Sequence, residues 1–160
     1  MRREDFERLY EEHAQPLFGF LAYRTGDRSL AEDLLADTFE RALRARNRFD
    51  RRKASEKTWL YTIALNLLRD QARRRGSEAR AIERIPHEER EPADALAAVE
   101  HRDEVQRAIA ILSDEEREAI ALRFGADMTV PEISKLLKEP LPRVEGRVYR
   151  SLRKLREQLD

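Results

Sequence analysis

The chain has 160 residues, 40% of them charged, with lysine plus arginine equal to aspartate plus glutamate at 32 each and no cysteine. Disulfides and thiolate metal sites are thereby excluded, and a net charge of zero supplies no general attraction to nucleic acid. No apolar run approaches a membrane span and the N-terminus lacks a signal-peptide core, so a cytoplasmic protein without membrane insertion is expected.

Charge is unevenly spread. Residues 1–76 hold 17 basic and 13 acidic side chains, residues 77–99 hold 3 and 6, and residues 100–160 hold 12 and 13. Patches therefore matter more than totals. With five glycines, six prolines and no period-two apolar run, the chain reads as all-α.

A first helix is expected from about Arg3 to Tyr23, with Phe6, Leu9, Tyr10, His13, Leu17, Phe20 and Leu21 on one stripe. Pro16 should kink or interrupt it. His13 reads as a hydrogen-bonded core histidine. After a turn at residues 25–28, Ser29 and Glu32 have capping-box spacing for a second helix. Its inner side carries Ala31, Leu34, Leu35, Thr38, Phe39 and Ala42. Asp33, Asp37, Glu40 and Arg44 fall together on the other side, a charged face that suits a basic partner surface.

Between Arg41 and Lys57 there are eight basic residues against Asp50 and Glu56. A loop starting at Phe49 carries Arg51, Arg52 and Lys53 and ends at Ser55, a cap for the next helix. On that helix Leu60, Ile63, Ala64 and Leu67 share one flank, while Thr62, Asn66, Arg69 and Arg73 share the opposite one. Trp59 sits at the border. Arginine neutralises phosphate, asparagine reads a base edge and tryptophan stacks on a base that has left the duplex. This pattern fits a face for single-stranded DNA; on this segment alone it equally fits a Trp59 in the core and arginines that only solvate a helix end.

Gly76-Ser77 is expected to end the third helix. Residues 77–94 read as a flexible linker, with a charged stretch between Pro86 and Pro92 and too little apolar content for a core element. A second domain follows, 95–160 against 1–76 for the first. Leu96, Val99, Val105, Ile109 and Leu112 have helical spacing. Ser113 with Glu116 and Thr129 with Glu132 are two more capping boxes, and Gly125 is placed to end the helix between them. Ile133, Leu136 and Leu137 give a short helix, and Pro142 opens a last one to about Gln158. There Val144, Val148, Leu152 and Leu155 should pack inward. Arg143, Arg147, Arg150 and Lys154 should line the outside. A short helix, a tight turn and a helix with a basic stripe form a helix-turn-helix suited to duplex DNA.

Three runs carry a family resemblance: residues 31–43, residues 58–70, and residues 112–123. Together they resemble the extracytoplasmic-function sigma factors, the two-domain branch of the bacterial sigma family. The resemblance implies a subunit that binds core RNA polymerase and directs promoter recognition, DNA melting and transcription initiation. Asp33, Asp37, Glu40 and Arg44 would dock on the polymerase clamp. Phe49, Arg51, Arg52, Lys53, Trp59, Thr62, Asn66, Arg69 and Arg73 would recognise and melt the −10 element. Arg143, Arg147, Arg150 and Lys154 would read the −35 element. Factors of this kind are commonly held inactive by an anti-sigma protein. The chain departs from the family in the helix-turn-helix: Lys138 stands where glycine is usual, Pro140 where a small polar cap is usual, Leu141-Pro142 follow, and Glu145 replaces a basic residue.

The runner-up is a stand-alone helix-turn-helix transcription regulator using residues 129–158, which would bind duplex without polymerase. An enzyme is not expected. Three scattered histidines and surface or capping carboxylates supply no nucleophile with a base, no metal ligand set, no cofactor site and no small-molecule substrate pocket.

Overall fold

The computed structural model describes residues 1–81, 104 and 107–159, all in helices and their connections, with no strand among them. The chain divides into two compact units, Met1–Pro86 and His87–Asp160.

The first unit is built on three helices: α1 (Arg3–Thr25), α2 (Arg28–Ala45) and α3 (Glu56–Ala81). Pro16 does not interrupt α1 as expected. Its missing N–H leaves the Glu12 carbonyl without a helical donor, but Glu12, Gln15 and Pro16 are all exposed, so water can serve. Gly26 ends α1 in the left-handed region at φ 67°, its N–H donating to the Ala22 carbonyl. The cap of α2 differs from the expected Ser29. Asp27 fills that role, its carboxylate accepting from the Leu30 N–H at 3.2 Å. Ser55 caps α3 as expected, its hydroxyl oxygen accepting from the Thr58 N–H at 3.1 Å.

The core of this unit gathers Leu9, Leu17, Phe20, Leu21, Ala31, Leu34, Phe39, Leu60, Tyr61, Ala64 and Leu65. The Tyr61 ring meets Phe20 edge-on at 5.7 Å. Its hydroxyl is buried with no partner among the described residues, and burial pushes the phenol up to about 12. Ile63, expected in the core flank, is only half-buried. His13 is mostly buried at the edge of the core, and desolvation lowers its imidazole below the ordinary value. α3 runs past Gly76, where it was expected to stop. One helical glycine costs about 1 kcal/mol against alanine, which the arginines and alanines around it can absorb.

In the second unit residues 107–110 are helical. α4 (Asp114–Ile120) follows and passes into a π-helical turn, Ala121–Gly125. Asp127, not Gly125, takes the left-handed conformation at φ 53°. α5 (Val130–Leu137) and α6 (Leu141–Leu159) complete the helix-turn-helix. Both expected capping boxes are formed, Ser113 with Glu116 and Thr129 with Glu132. Lys138 ends α5 at φ 56°, which costs a residue with a β-carbon roughly 1–2 kcal/mol. Leu112, Ala119, Leu122, Met128, Ile133, Val144 and Val148 form the core. The expected helical stretch through Leu96, Val99 and Val105, and the linker around Ile85, lie outside the described residues.

Candidate nucleic-acid interface

In the first unit the described geometry gathers the loop and the α3 residues expected to face the −10 element. A short 3-10 turn, Arg46–Arg48, brings the chain out of α2, and Phe49 follows in extended conformation. Asp50 then shapes the loop. Its carboxylate accepts from the Arg52 N–H at 2.9 Å and its carbonyl from the Lys53 N–H at 3.0 Å. That local turn puts Arg51, Arg52 and Lys53 in solvent. Arg51 leans on Glu56 at 3.4 Å, while Glu56 also lies 3.9 Å from Arg8.

Phe49 and Trp59 are neighbours, with ring centroids 5.1 Å apart and planes inclined by 52°. Both are half-buried, so each keeps part of a ring open. Thr62 is also half-buried, its hydroxyl donating to the Thr58 carbonyl at 2.7 Å. Asn66, Arg69 and Arg73 are exposed. At about 100° per residue, Trp59, Thr62, Asn66, Arg69 and Arg73 fall within roughly 80° of arc. One helix face thus offers, along its length, a ring, a hydroxyl, an amide and two guanidiniums. Groups of these kinds are able to stack on, hydrogen-bond and neutralise a nucleic-acid strand. On α2, Asp33, Asp37, Glu40 and Arg44 are all exposed. Glu40 and Arg44 bond to each other at 2.6 Å, which leaves Asp33 and Asp37 as the net charge of the patch.

The second unit departs from the expected basic stripe. Arg143 and Arg150 are exposed on α6, but Arg147 is not. Its residue exposure is 7%, and its Nη1 donates to Glu139 Oε2 at 2.6 Å while Nη2 lies 3.8 Å from Glu115. The bond to Glu139 is the main cause of a guanidinium pKa raised above its ordinary value. Arg147 is therefore corrected from a DNA-facing residue to an internal one. On a helical wheel it lies only about 60° from the buried Val144, inside the packed arc. Ser151 is buried in the same arc, and Leu152, expected inward, is 41% exposed. Lys154 is half-exposed and donates to Glu116 Oε1 at 2.8 Å, so the expected four-residue stripe leaves Arg143 and Arg150 as its open cations.

The carboxylates Glu115, Glu116 and Glu139 escape sequence reasoning as partners, because they reach α6 from as far as 38 positions away. Glu116 does double duty. Its Oε1 also accepts from the Ser113 N–H, and Lys154 is the largest influence holding its carboxyl below the ordinary range. Among the described residues no acidic or histidine cluster could hold a metal, and no helix is long and apolar enough to cross a membrane.

Comparison with known proteins matches both units. The Sigma-70 region 2 family matches residues 9–78, and the Sigma-70, region 4 family matches residues 108–157. The ECF RNA polymerase sigma factor SigW of Bacillus subtilis is 33% identical over 153 residues, covering 87% of this chain and 81% of SigW. The ECF RNA polymerase sigma factor BldN of Streptomyces coelicolor is 29% identical over 154 residues; the match covers 94% of this chain but 58% of BldN. Among solved structures, the sigma factor RpoE in its co-crystal with the anti-sigma factor NepR from Bartonella quintana has a TM-score of 0.77. That match spans 98% of this chain and 97% of the other, and at 24% identity it speaks for the fold.

Proposed function

The chain belongs to the ECF RNA polymerase sigma factors, and from that membership we propose that its first unit opens promoter DNA while its second holds the duplex upstream. It is a transcription-initiation factor that works through core polymerase. We assign the −10 module to residues 1–76, the linker to 77–94 and the −35 module to 95–160. The observation that carries the reading is the α3 face: Trp59, backed by Phe49, stands in line with Thr62, Asn66 and Arg69, beside the exposed cations of the 51–53 loop. Opening a duplex costs a few kcal/mol per unstacked base, and stacking with phosphate neutralisation on such a face offsets it.

Arg51, Arg52, Lys53 and Arg73 then serve the displaced strand's phosphates. Asp33, Asp37 and Glu40, flanked by Arg44, dock on a basic polymerase surface. Arg143 and Arg150 read the −35 duplex, with Lys154 close to a phosphate once Glu116 releases it. The factor acts in the cytoplasm, where promoters and polymerase are. The co-crystallised anti-sigma factor on RpoE supports a protein inhibitor of the same kind here. A stand-alone regulator is not favoured, since it would leave the first unit's face of half-buried aromatics and exposed cations without use.

The test is permanganate footprinting of a cognate promoter with reconstituted holoenzyme. Trp59→Ala with Asn66→Ala should abolish thymine reactivity in the −10 region and leave core binding intact. Normal melting by the double variant would refute the assignment of that face.

A further inference from the structure

The buried guanidinium of Arg147 stands where three pieces of the second unit converge. It belongs to α6, it bonds the turn residue Glu139 at 2.6 Å, and it faces Glu115 in the first turn of α4 at 3.8 Å. Glu139 is itself held along its backbone. Its N–H donates to the Ser134 carbonyl at 3.1 Å, and its carbonyl accepts from the Ser134 hydroxyl at 2.6 Å. It lies between Lys138, whose φ of 56° reverses the chain, and Pro140, whose carbonyl accepts the opening N–H groups of α6 from Arg143 and Val144.

The open cations lie on the same helix as Arg147. Arg143 lies one turn before Arg147. Arg150 folds back over Gly146, where an added β-carbon would come within 3.0 Å of its Nη1. Neither Arg143 nor Arg150 has an ion-pair partner among the described residues. A buried ion pair contributes little net stability, because desolvation cancels most of its attraction, but it can fix one geometry over its neighbours. A helix that reads base edges needs such a fix, since a guanidinium must meet its acceptors in a narrow range of distance and angle.

We propose that Glu139 and Arg147 form a positioning latch for promoter reading: their ion pair ties the turn to the recognition helix and sets the angle at which Arg143 and Arg150 meet the −35 duplex. The inference rests on the sigma reading above. It makes Arg147 a positioning residue rather than a DNA contact, and it gives the unusual turn a purpose.

The experiment uses holoenzyme and two upstream-fork DNAs. One carries the −35 sequence selected by wild-type holoenzyme from a randomised library, and the other a scrambled −35. The readout is the ratio of the two affinities at fixed salt, beside the melting temperature of the free chain. Glu139→Gln should lower the ratio on the order of tenfold, the range of one misaligned bidentate contact. It should leave scrambled binding equal or slightly tighter, because an anion has been removed near the DNA face. Glu139→Asp, which keeps the charge on a shorter arm, should give an intermediate ratio, and it decides the matter if Glu139→Gln fails to fold. A wild-type ratio in a folded variant, or an equal fall on both DNAs, overturns the latch. A wild-type holoenzyme that selects no −35 sequence overturns the sigma reading itself.

Discussion

The ring of Phe49 stands 5.1 Å from that of Trp59, so the loop that follows α2 braces the half-buried first aromatic of α3. A tilted pair of this kind contributes about 0.5–1.5 kcal/mol beyond its buried area. If Trp59 must hold its ring ready for an unstacked base, loss of the brace lowers the fraction of holoenzyme that is competent to melt. Phe49→Ala is expected to slow promoter opening by roughly 2- to 12-fold, that energy expressed as a rate. Fluorescence of 2-aminopurine placed in the −10 element would follow the opening step. Core binding, measured by native gel, should not change, because Phe49 lies on a different element from the acidic face of α2.

That acidic face leads to a second expectation. Glu40 and Arg44 neutralise one another, so Asp33 and Asp37 give the patch its sign. Both are exposed, and exposed substitutions usually move stability by no more than about 0.5 kcal/mol. Asp33→Lys with Asp37→Lys should therefore leave the fold intact while weakening assembly with core polymerase. Charge at the rim of an interface acts mainly on the association rate. Stopped-flow association with labelled core should show a slower on-rate, and the wild-type advantage should shrink as salt is raised. An on-rate that is unchanged at low salt would remove α2 from the docking surface.

What the sequence makes legible is what is local. Ser113 with Glu116 and Thr129 with Glu132 are readable because a capping box closes within four residues, and the structure forms both. Apolar spacing gives most of the inner face of α2 but only part of that of α3: Leu60, Ala64 and Leu67 are buried as spaced, while Tyr61 and Leu65 are buried too and Ile63 is not. The choice between Asp27 and Ser29 as the cap of α2 is not readable that way. Both are good caps, and the left-handed Gly26 decides it by delivering the chain into the helix at Asp27. The inward turn of Arg147 is hidden for a different reason. Its spacing suits either the basic stripe or the buried arc. What settles it is a pair of carboxylates, Glu139 eight residues before it and Glu115 in a separate helix. Leu152 is the counterpart: the small Ser151, its hydroxyl bonded to the Arg147 carbonyl at 2.7 Å, fills the inner position and leaves the leucine partly in water.

Glu116 gives a prediction in which the sign with pH is decisive. Its carboxylate accepts from the Ser113 N–H at 3.0 Å and from Lys154 at 2.8 Å, joining the start of α4 to the far half of α6. The bond to Lys154, followed by the bond to Ser113, lowers its pKa from an ordinary 4.5. A group whose pKa is lower folded than unfolded contributes stability that is complete above the unfolded value. That contribution is lost as pH falls through the folded value. Glu116→Gln keeps an amide oxygen that accepts from the Ser113 N–H and loses only the charge on the bond to Lys154. It should thus destabilise the second unit at pH 7 by about 1 kcal/mol, the difference between a charge-assisted and a neutral hydrogen bond. The deficit should narrow below pH 4.5, where the wild-type carboxyl itself takes up a proton. Lys154 is half-exposed and regains water when its partner is neutralised, so the cost of stranding a buried cation does not arise. Chemical denaturation of both proteins between pH 3 and pH 7 measures the difference directly. A stability gap that stays constant through that range would mean that Glu116 acts through its shape alone, and that the bond to Lys154 contributes nothing to holding α4 against α6.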